Sequence, residues 1–466
     1  MLMDAKAAKT PSPPMTDGLP PDRRRLAVAA IFTALAMASL DTAIANVALP
    51  AIASDLAVSP ADVVWVVNIY QIALVATLLP LGALGEIVGH QRIYLAGLLL
   101  FTIASLGCVY AWSLPSLLAA RALQGLGASG IMSVNSALIS FVYPSRLLGR
   151  GFGHNALVVA TAFTLGPTIA SSILAFGPWP WLFAVNIPFG LIAIVIGMKT
   201  LPRTPRAGHA FDFPGAFMAA ACLGLFIVGI GSAAHKATPG LVAAELAGAV
   251  ILASLLIRRH ADHPAPMLPI DLFRRPIFAL SAATAVCSFS VQGLAFVSLP
   301  FYFEDILHRN QVETGFLMTP WPLVVAVMAP IGGRLSDRYA AGLLCGLGLV
   351  VLAIGMVLQA TLPASPGVMN IVWRMVICGL GFGFFQTPNI RAIMSSAPSD
   401  RSGGASGIVA TARLTGQTLG AASAALCFAL AGRDGATVAL ALGAGFAAFG
   451  SVMSLLRLTV AAPARP

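Results

Sequence analysis

Residues 38–52 read ASLDTAIANVALPAI, and Asp41 is the one charged side chain among the fifteen. A helix that starts near Leu26 places Asp41 about 22 Å along its axis. That is past the middle of a hydrocarbon core about 30 Å thick. An ionised carboxylate is expensive there unless it is partnered. A carboxyl that gains and loses a proton while water access alternates between two sides can couple transport to a proton gradient. The plain alternative is a capped polar residue that only packs a helix pair. Arg121, in a second apolar segment, is a matching intramembrane charge. Counted from the outer ends of their helices, Arg121 lies at about 9 Å and Asp41 at about 13 Å. Their depths suit contact, so Arg121 is expected to hold Asp41 ionised until substrate or a proton displaces it. A static ion pair is the plainer reading.

The elements that carry these residues follow from composition. The chain has 466 residues, 58% hydrophobic and 9% charged, with a mean hydropathy of +0.88. A water-facing exterior needs more polar surface than this, and the long apolar runs lack the alternation of a membrane β-barrel. The expected fold class is an all-α polytopic membrane protein. Helices are predicted at about 26–50, 61–83, 92–112, 115–140, 154–176, 179–198, 212–233, 239–257, 276–300, 312–332, 341–361, 367–393, 403–430 and 436–458. Residues 1–25, polar and Pro-rich, read as a disordered cytoplasmic tail. The apolar run after Arg25 is too long for a secretory leader. All six cysteines fall in apolar runs without a CxxC pair, which argues for small buried residues and against metal ligands.

The net charge of +10 does not point to nucleic acid, because of where it sits. With a cytoplasmic N-terminus, 21 of the 27 basic residues fall in inside segments. Outside loops hold Lys236, Arg309 and Arg433, and helices hold Arg121, Arg374 and Arg413. This asymmetry orients a multi-pass chain with both termini in the cytoplasm. The 23 Arg against four Lys suggest a GC-rich bacterial genome, hence a bacterial inner membrane.

The sequence also aligns with itself at a shift of about 250 residues. LP at 49–50 meets LP at 299–300, and GALGE at 82–86 meets GGRLSD at 332–337. RALQGLG at 121–127 meets RMVICGLG at 374–381, and TLGPTIASS at 164–172 meets LTGQTLGAAS at 414–423. The expected organisation is a six-helix bundle in 26–200, an inserted helix pair in 201–275 and a second six-helix bundle in 276–460. Two like-oriented bundles rocking about a midplane site suit alternating access.

These motifs together resemble the major facilitator superfamily, and within it the fourteen-helix drug:proton antiporter family. LDTAIANVALP (40–50) looks like that family's first-helix motif LDxTIVNVALP. GALGEIVGHQR (82–92) is similar to the loop motif GxLaDrxGrrr, RALQGLGAS (121–129) to the fourth-helix motif, and WPWLFAVNIPFG (179–190) to WRWxFxINxPiG. Two departures stand out. Glu86 and Ile87 replace an aspartate and a basic residue, and Gly166-Pro167 is followed by Thr-Ile-Ala-Ser where the antiporter motif GPxxGG ends in two glycines.

The resemblance implies that Asp41 and Arg121 serve proton coupling and that Gly82, Gly85, Glu86, Gly89 and Arg92 form a gating loop. Asp337, with Arg334 and Arg338, reads as the loop's counterpart in the second half. A solvated charge cluster is the alternative. Gly166 and Pro167, like Gly127, Gly130, Gly151 and Gly153, are expected to permit close packing and bending. Candidates for the substrate cavity are Asn46, Tyr70, Gln71, Gln124, Asn135, Phe163, Gln292, Phe296, Arg374 and Gln386, each weighed against ordinary helix–helix bonding. Arg374 occupies the repeat position of Arg121, and Glu245 lies in the inserted pair.

The expected function is proton-coupled export of amphipathic, cationic small molecules such as antiseptics, dyes or antibiotics. The partners are then a small-molecule substrate, protons and the bilayer, without nucleic acid, metal or cofactor, and an adaptor protein is left open. Aromatic rings beside a carboxylate would suit lipophilic cations. One deep acid, however, cannot readily both bind a dication and carry the coupling proton. A dedicated exporter of one metabolite, an exporter of neutral or anionic compounds, and a non-transporting sensor or scaffold are the alternatives. A primary pump would need a GxxxxGK[ST] loop, and the chain has no GK dipeptide. No HExxH occurs, and the seven histidines are scattered, which argues against an enzyme.

Overall fold

The structure is a computed structural model that describes residues 18–144, 147–204, 206, 211–234, 238–261, 270–336, 338–363, 365–396 and 402–459. The first set of helices is α1 (Pro21–Asp55), the short α2 (Pro60–Val63), α3 (Trp65–Val88), α4 (His90–Val109), α5 (Leu114–Val142), α6 (Leu148–Phe176), α7 (Trp181–Ala184) and α8 (Asn186–Thr200). A pair follows, α9 (Phe213–Ala234) and α10 (Pro239–Ala261), then the short α11 (Ile270–Phe273). The second set is α12 (Pro276–Phe301), α13 (Gln311–Met318), α14 (Pro320–Leu335), α15 (Ala341–Ala360), α16 (Val368–Ser396), α17 (Ser402–Ala431) and α18 (Gly435–Leu456). No strand occurs among the described residues.

Thirteen stretches among the described residues are long and apolar enough to cross a membrane. The last, Gly407–Leu456, has 50 residues, about 75 Å of helix, and a 3₁₀ turn at Gly432–Asp434 parts it into α17 and α18. Large apolar side chains face outward where lipid would lie, among them Ile103 at 58% and Val250 at 65% exposure.

Two boundaries differ from the sequence expectation for identifiable reasons. α1 begins at Pro21, so Arg23, Arg24 and Arg25 are helical and not part of a tail. Proline suits a first helical position, Asp22 occupies the first turn, and Arg23 Nε donates to Thr200 O at 3.1 Å. The expected helix 312–332 divides at Thr319, where Pro320 lacks the N–H that would continue the ladder. Residues 1–17 lie outside the described residues.

The two sets pack alike: α1 lies against α6 and α8, as α12 lies against α17 and α18. α5 packs between α3 and α4, as α16 packs between α14 and α15. Glycines set the same crossing in each set. A Cβ on Gly97 would lie 2.8 Å from Gly127 O and from Gly130 Cα, and one on Gly348 would lie 2.8 Å from Gly381 O. Small residues let backbones touch where lipid gives no hydrophobic drive to associate. α9 packs on α10, and also against α3 and α17.

Substitution Gly97→Val is expected to cost about 1–3 kcal/mol by overpacking. Purified in detergent, it should melt several degrees below wild type, while Gly240→Val, with nothing within 4 Å of its Cβ, should not. Equal melting of the two variants would contradict the crossing described.

Candidate functional site

Asp41 and Arg121 meet inside the first bundle. Arg121 Nη1 donates to Asp41 Oδ2 at 2.5 Å, and Asp41 is 3% and Arg121 0% exposed. The same Nη1 donates to Gln124 Oε1 at 2.6 Å, and Arg121 Nε donates to Val66 O at 3.0 Å. Gln124 Nε2 donates to Asp41 Oδ1 at 2.9 Å and to Ser105 Oγ at 2.9 Å. Asn186 Nδ2 completes the carboxylate with a 3.1 Å bond to Oδ1. The guanidinium lies 4.2 Å from the Tyr70 ring centre and 5.4 Å from that of Phe183. Five helices, α1, α3, α4, α5 and α8, thus contribute to one buried ion-pair cluster, and the rings of Tyr70 and Phe183 cover it. The pairing is what makes burial tolerable, since a lone charge in such surroundings is far costlier than a hydrogen-bonded ion pair, although Arg121 Nη2 has no hydrogen-bond partner.

Spacing explains how the cluster is held. Arg121 and Gln124 are three residues apart on α5 and so share a face. In WPWLFAVN, Trp179, Phe183 and Asn186 fall at i, i+4 and i+7. Trp179 Nε1 donates to Asp55 Oδ2 at 2.7 Å, fixing the end of α1. Phe183 covers Arg121, and Asn186 binds Asp41. Asn186 and Ser105 were not among the sequence candidates. The signal for Asn186 was present as a lone amide at helical spacing from two aromatics.

A second site lies between the bundles. Thr42 and Asn46 of α1, Gln71 of α3 and Phe163 of α6 face Gln292, Gly293 and Phe296 of α12 and Gln417 of α17 across a narrow cleft. Its free volume is about 10 Å³, room for roughly one water. The cleft is closed by contacts between the sets. Thr418 Oγ1 donates to Gln71 Oε1 at 2.9 Å. Thr168 and Thr319 hydroxyls are 2.8 Å apart, and Thr164 Oγ1 donates to Pro322 O at 3.2 Å. A separate recess of about 710 Å³ opens at the Asp55 end of α1, lined in part by Pro50, Glu304, Asp305 and Phe316.

The major facilitator superfamily pattern matches residues 31–421. The chain belongs to the major facilitator superfamily. It is 48% identical over 447 residues to the uncharacterized transporter YebQ of Escherichia coli, which covers 95% of this chain and 97% of that protein. It is 32% identical to the riboflavin transporter RibZ of Clostridioides difficile, over 83% of this chain and 84% of that one. Relatives at 27–29% identity are named as a multidrug resistance protein, a tetracenomycin C resistance and export protein and a multidrug efflux pump. A solved structure of a peptide transporter of the POT family aligns with a TM-score of 0.71 at 13% identity, covering 92% of this chain and 94% of that one. This superfamily member is a multi-pass membrane transporter and not an enzyme.

Within this transporter, Asn46, Gln71, Phe163, Gln292 and Phe296 come together in the cleft, where Thr42, Gly293 and Gln417 join them. The other cavity candidates are placed elsewhere. Tyr70 and Gln124 belong to the ion-pair cluster. Asn135 Nδ2 donates to Asn155 Oδ1 at 2.6 Å between α5 and α6. Arg374 lies over Trp373, donates to Asn370 Oδ1 at 2.9 Å and to Leu358 O, and so ties α16 to the end of α15. Gln386 is half-buried on α16, outside the cleft lining. The reason is rotational: sequence gives depth along a helix, and the neighbours decide which face meets the midline.

Gly82, Gly85, Glu86, Gly89 and Arg92 span the α3–α4 junction. Gly89 has φ 111°, a conformation that favours glycine, and a Cβ on Gly85 would lie 2.6 Å from Val134 Cγ1. His90 N donates to Thr204 Oγ1 at 2.8 Å, which fixes this turn to the segment after α8. Glu86 and Arg92 are exposed. Asp337 lies outside the described residues. Gly166 brings α6 against Ala43 of α1, next to Thr42. Where the antiporter motif would end in glycine, Ser171 faces Gly315 of α13, and a Cβ there would lie 2.7 Å from Ser171 Cβ. The small residue needed at this crossing stands on the opposite helix.

Replacing Arg121 by Leu strands Asp41 and is expected to destabilise the purified protein by about 3–5 kcal/mol. The double substitution Asp41→Asn with Arg121→Gln should restore most of that loss in a thermal melt. If Arg121→Leu melts with wild type, the cluster does not hold the bundle.

Proposed function

We propose that this transporter exports amphipathic small organic molecules in exchange for protons, with Asp41 as the proton carrier. The observation that carries this reading is the adjacency of the two sites along α1: Asp41 in the ion-pair cluster is followed by Thr42 in the cleft lining, with Asn46 one turn on. A substrate seated against Thr42 and Asn46 moves the stretch of α1 that carries Asp41. Asp41 then takes up a proton and gives up its ion pair with Arg121, whose guanidinium keeps its bonds to Val66 O and Gln124 Oε1, and the bundles rock with the carboxyl neutral. Release on the other side lets the proton go and the pair reform. The export and efflux names of two relatives at 29% and 27% identity support the direction.

In this reading the chain crosses a bacterial inner membrane fourteen times, with both termini in the cytoplasm. The 21 basic residues on inside segments support that orientation. Glu86 and Arg92 belong to a gate at the α3–α4 junction, with Asp337 as its counterpart.

The cleft lining sets no requirement for a cationic substrate. The cleft lining carries three glutamines, an asparagine, a threonine and two phenylalanines, but no carboxylate. Asp41 is already engaged by Arg121. Neutral aromatic compounds therefore fit as well as cations, and the riboflavin transporter among the relatives is in keeping with this.

Flux in proteoliposomes under an imposed pH difference tests the proposal, with lipophilic cations and riboflavin as probes. Asp41→Asn should reduce gradient-driven flux at least tenfold while leaving equilibrium binding within a few-fold of wild type. Undiminished gradient-driven flux in Asp41→Asn would end the coupling role.

A further inference from the structure

Two buried carbonyl oxygens in the cleft have no hydrogen-bond partner, and they come from opposite bundles. Asn46 on α1 is 6% exposed, and its Nδ2 donates to Thr42 O at 3.0 Å. Its Oδ1 has no partner. Gln417 on α17 is 4% exposed, and its Nε2 donates to Gln292 Oε1 at 2.9 Å. Its Oε1 has no partner either. Gly293 holds Gln417 in place, since a Cβ there would lie 2.8 Å from Gln417 Cα. Buried acceptors are ordinarily satisfied, and both of these residues line the cleft together with Phe163 and Phe296.

Resting on the transport reading above, we infer that the cleft selects planar heteroaromatic ligands bearing N–H donors, which bridge Asn46 Oδ1 and Gln417 Oε1 while the ring lies between Phe163 and Phe296. The orphan atoms set the polarity of the match: both are acceptors, so the ligand must donate. The phenyl rings set its shape. Phe296 is braced by Trp321, whose ring centre lies 5.7 Å away at an interplanar angle of 74°, so a flat ring meets a fixed wall. The free volume of about 10 Å³ is far below that of such a ring. Entry must therefore part α1 from α12 and α17. A ligand whose donors reach one oxygen on each side then joins the two bundles directly, which makes occupancy and approach of the halves the same event.

The test uses two dyes of one ring system and one charge. Proflavine carries two exocyclic NH₂ groups, and acridine orange carries dimethylamino groups in their place. Binding to the purified full-length protein is measured by fluorescence at equilibrium, without a gradient. Wild type should bind proflavine at least tenfold more tightly than acridine orange. Asn46→Leu and Gln417→Leu should each reduce that ratio to threefold or less, whereas Asn46→Asp and Gln417→Glu, which keep an acceptor, should preserve it. Equal binding of the two dyes by wild type, binding of neither, or an undiminished ratio in both leucine variants overturns the inference. Failure of the transport reading is separately visible. It would show as proflavine selectivity in binding with no flux under a pH difference, whereas gradient-driven flux without selectivity would sink only the present inference.

Discussion

A carboxylate and a guanidinium enclosed together in the first bundle constrain much of the architecture around them. Asp41 accepts from Arg121, Gln124 and Asn186, and Arg121 also reaches the backbone at Val66. Removing any of these partners leaves a charge or a polar group unsatisfied in a medium of low dielectric, where such groups are costliest. The cluster therefore fixes α1, α3, α5 and α8 relative to one another. An ionised carboxylate is tolerated in this low-dielectric region while it is paired, and not as a lone anion.

The second bundle repeats the packing without the chemistry. Arg374 stands where Arg121 does in the repeat, yet among the described residues it meets Asn370 and the Leu358 carbonyl and no acid. Near the other end, Arg457 is buried among Ser281, Asn389 and Ser454. These arginines are satisfied by dipoles, so they brace helices and have no acid partner from which to be released. Among the described residues, the buried acid–base pair is found in the first set, while the second set buries arginines bonded to amides, hydroxyls and carbonyls.

Between the halves, small and hydroxyl-bearing residues make seams that can form and part. Thr168 meets Thr319, and Ser171 sits against Gly315. Single hydrogen bonds of this kind contribute about 1 kcal/mol each, enough to favour one arrangement without locking it. The glycine pair absent from α6 changes less than the motif alone implies. A close crossing needs a small residue on one of the two helices, and Gly315 supplies it from the other side.

Composition and apolar run length determined the helical membrane class and placed most of the helices, because a bilayer dictates how long and how apolar a crossing must be. Repeated motifs pointed to a two-part plan, and Asp41 and Arg121 stood out because a charge in oil is conspicuous in one dimension. Tertiary structure decided which face of each helix turns to which neighbour. Tyr70 and Gln124 joined the ion pair, Asn135 turned to Asn155, and Gln417, unremarkable in sequence, reached the midline. Depth along a helix is additive in residue number and can be counted. Rotation about its axis is set by the packing of every adjoining helix at once, including residues hundreds of positions away, and no local pattern of amides encodes it.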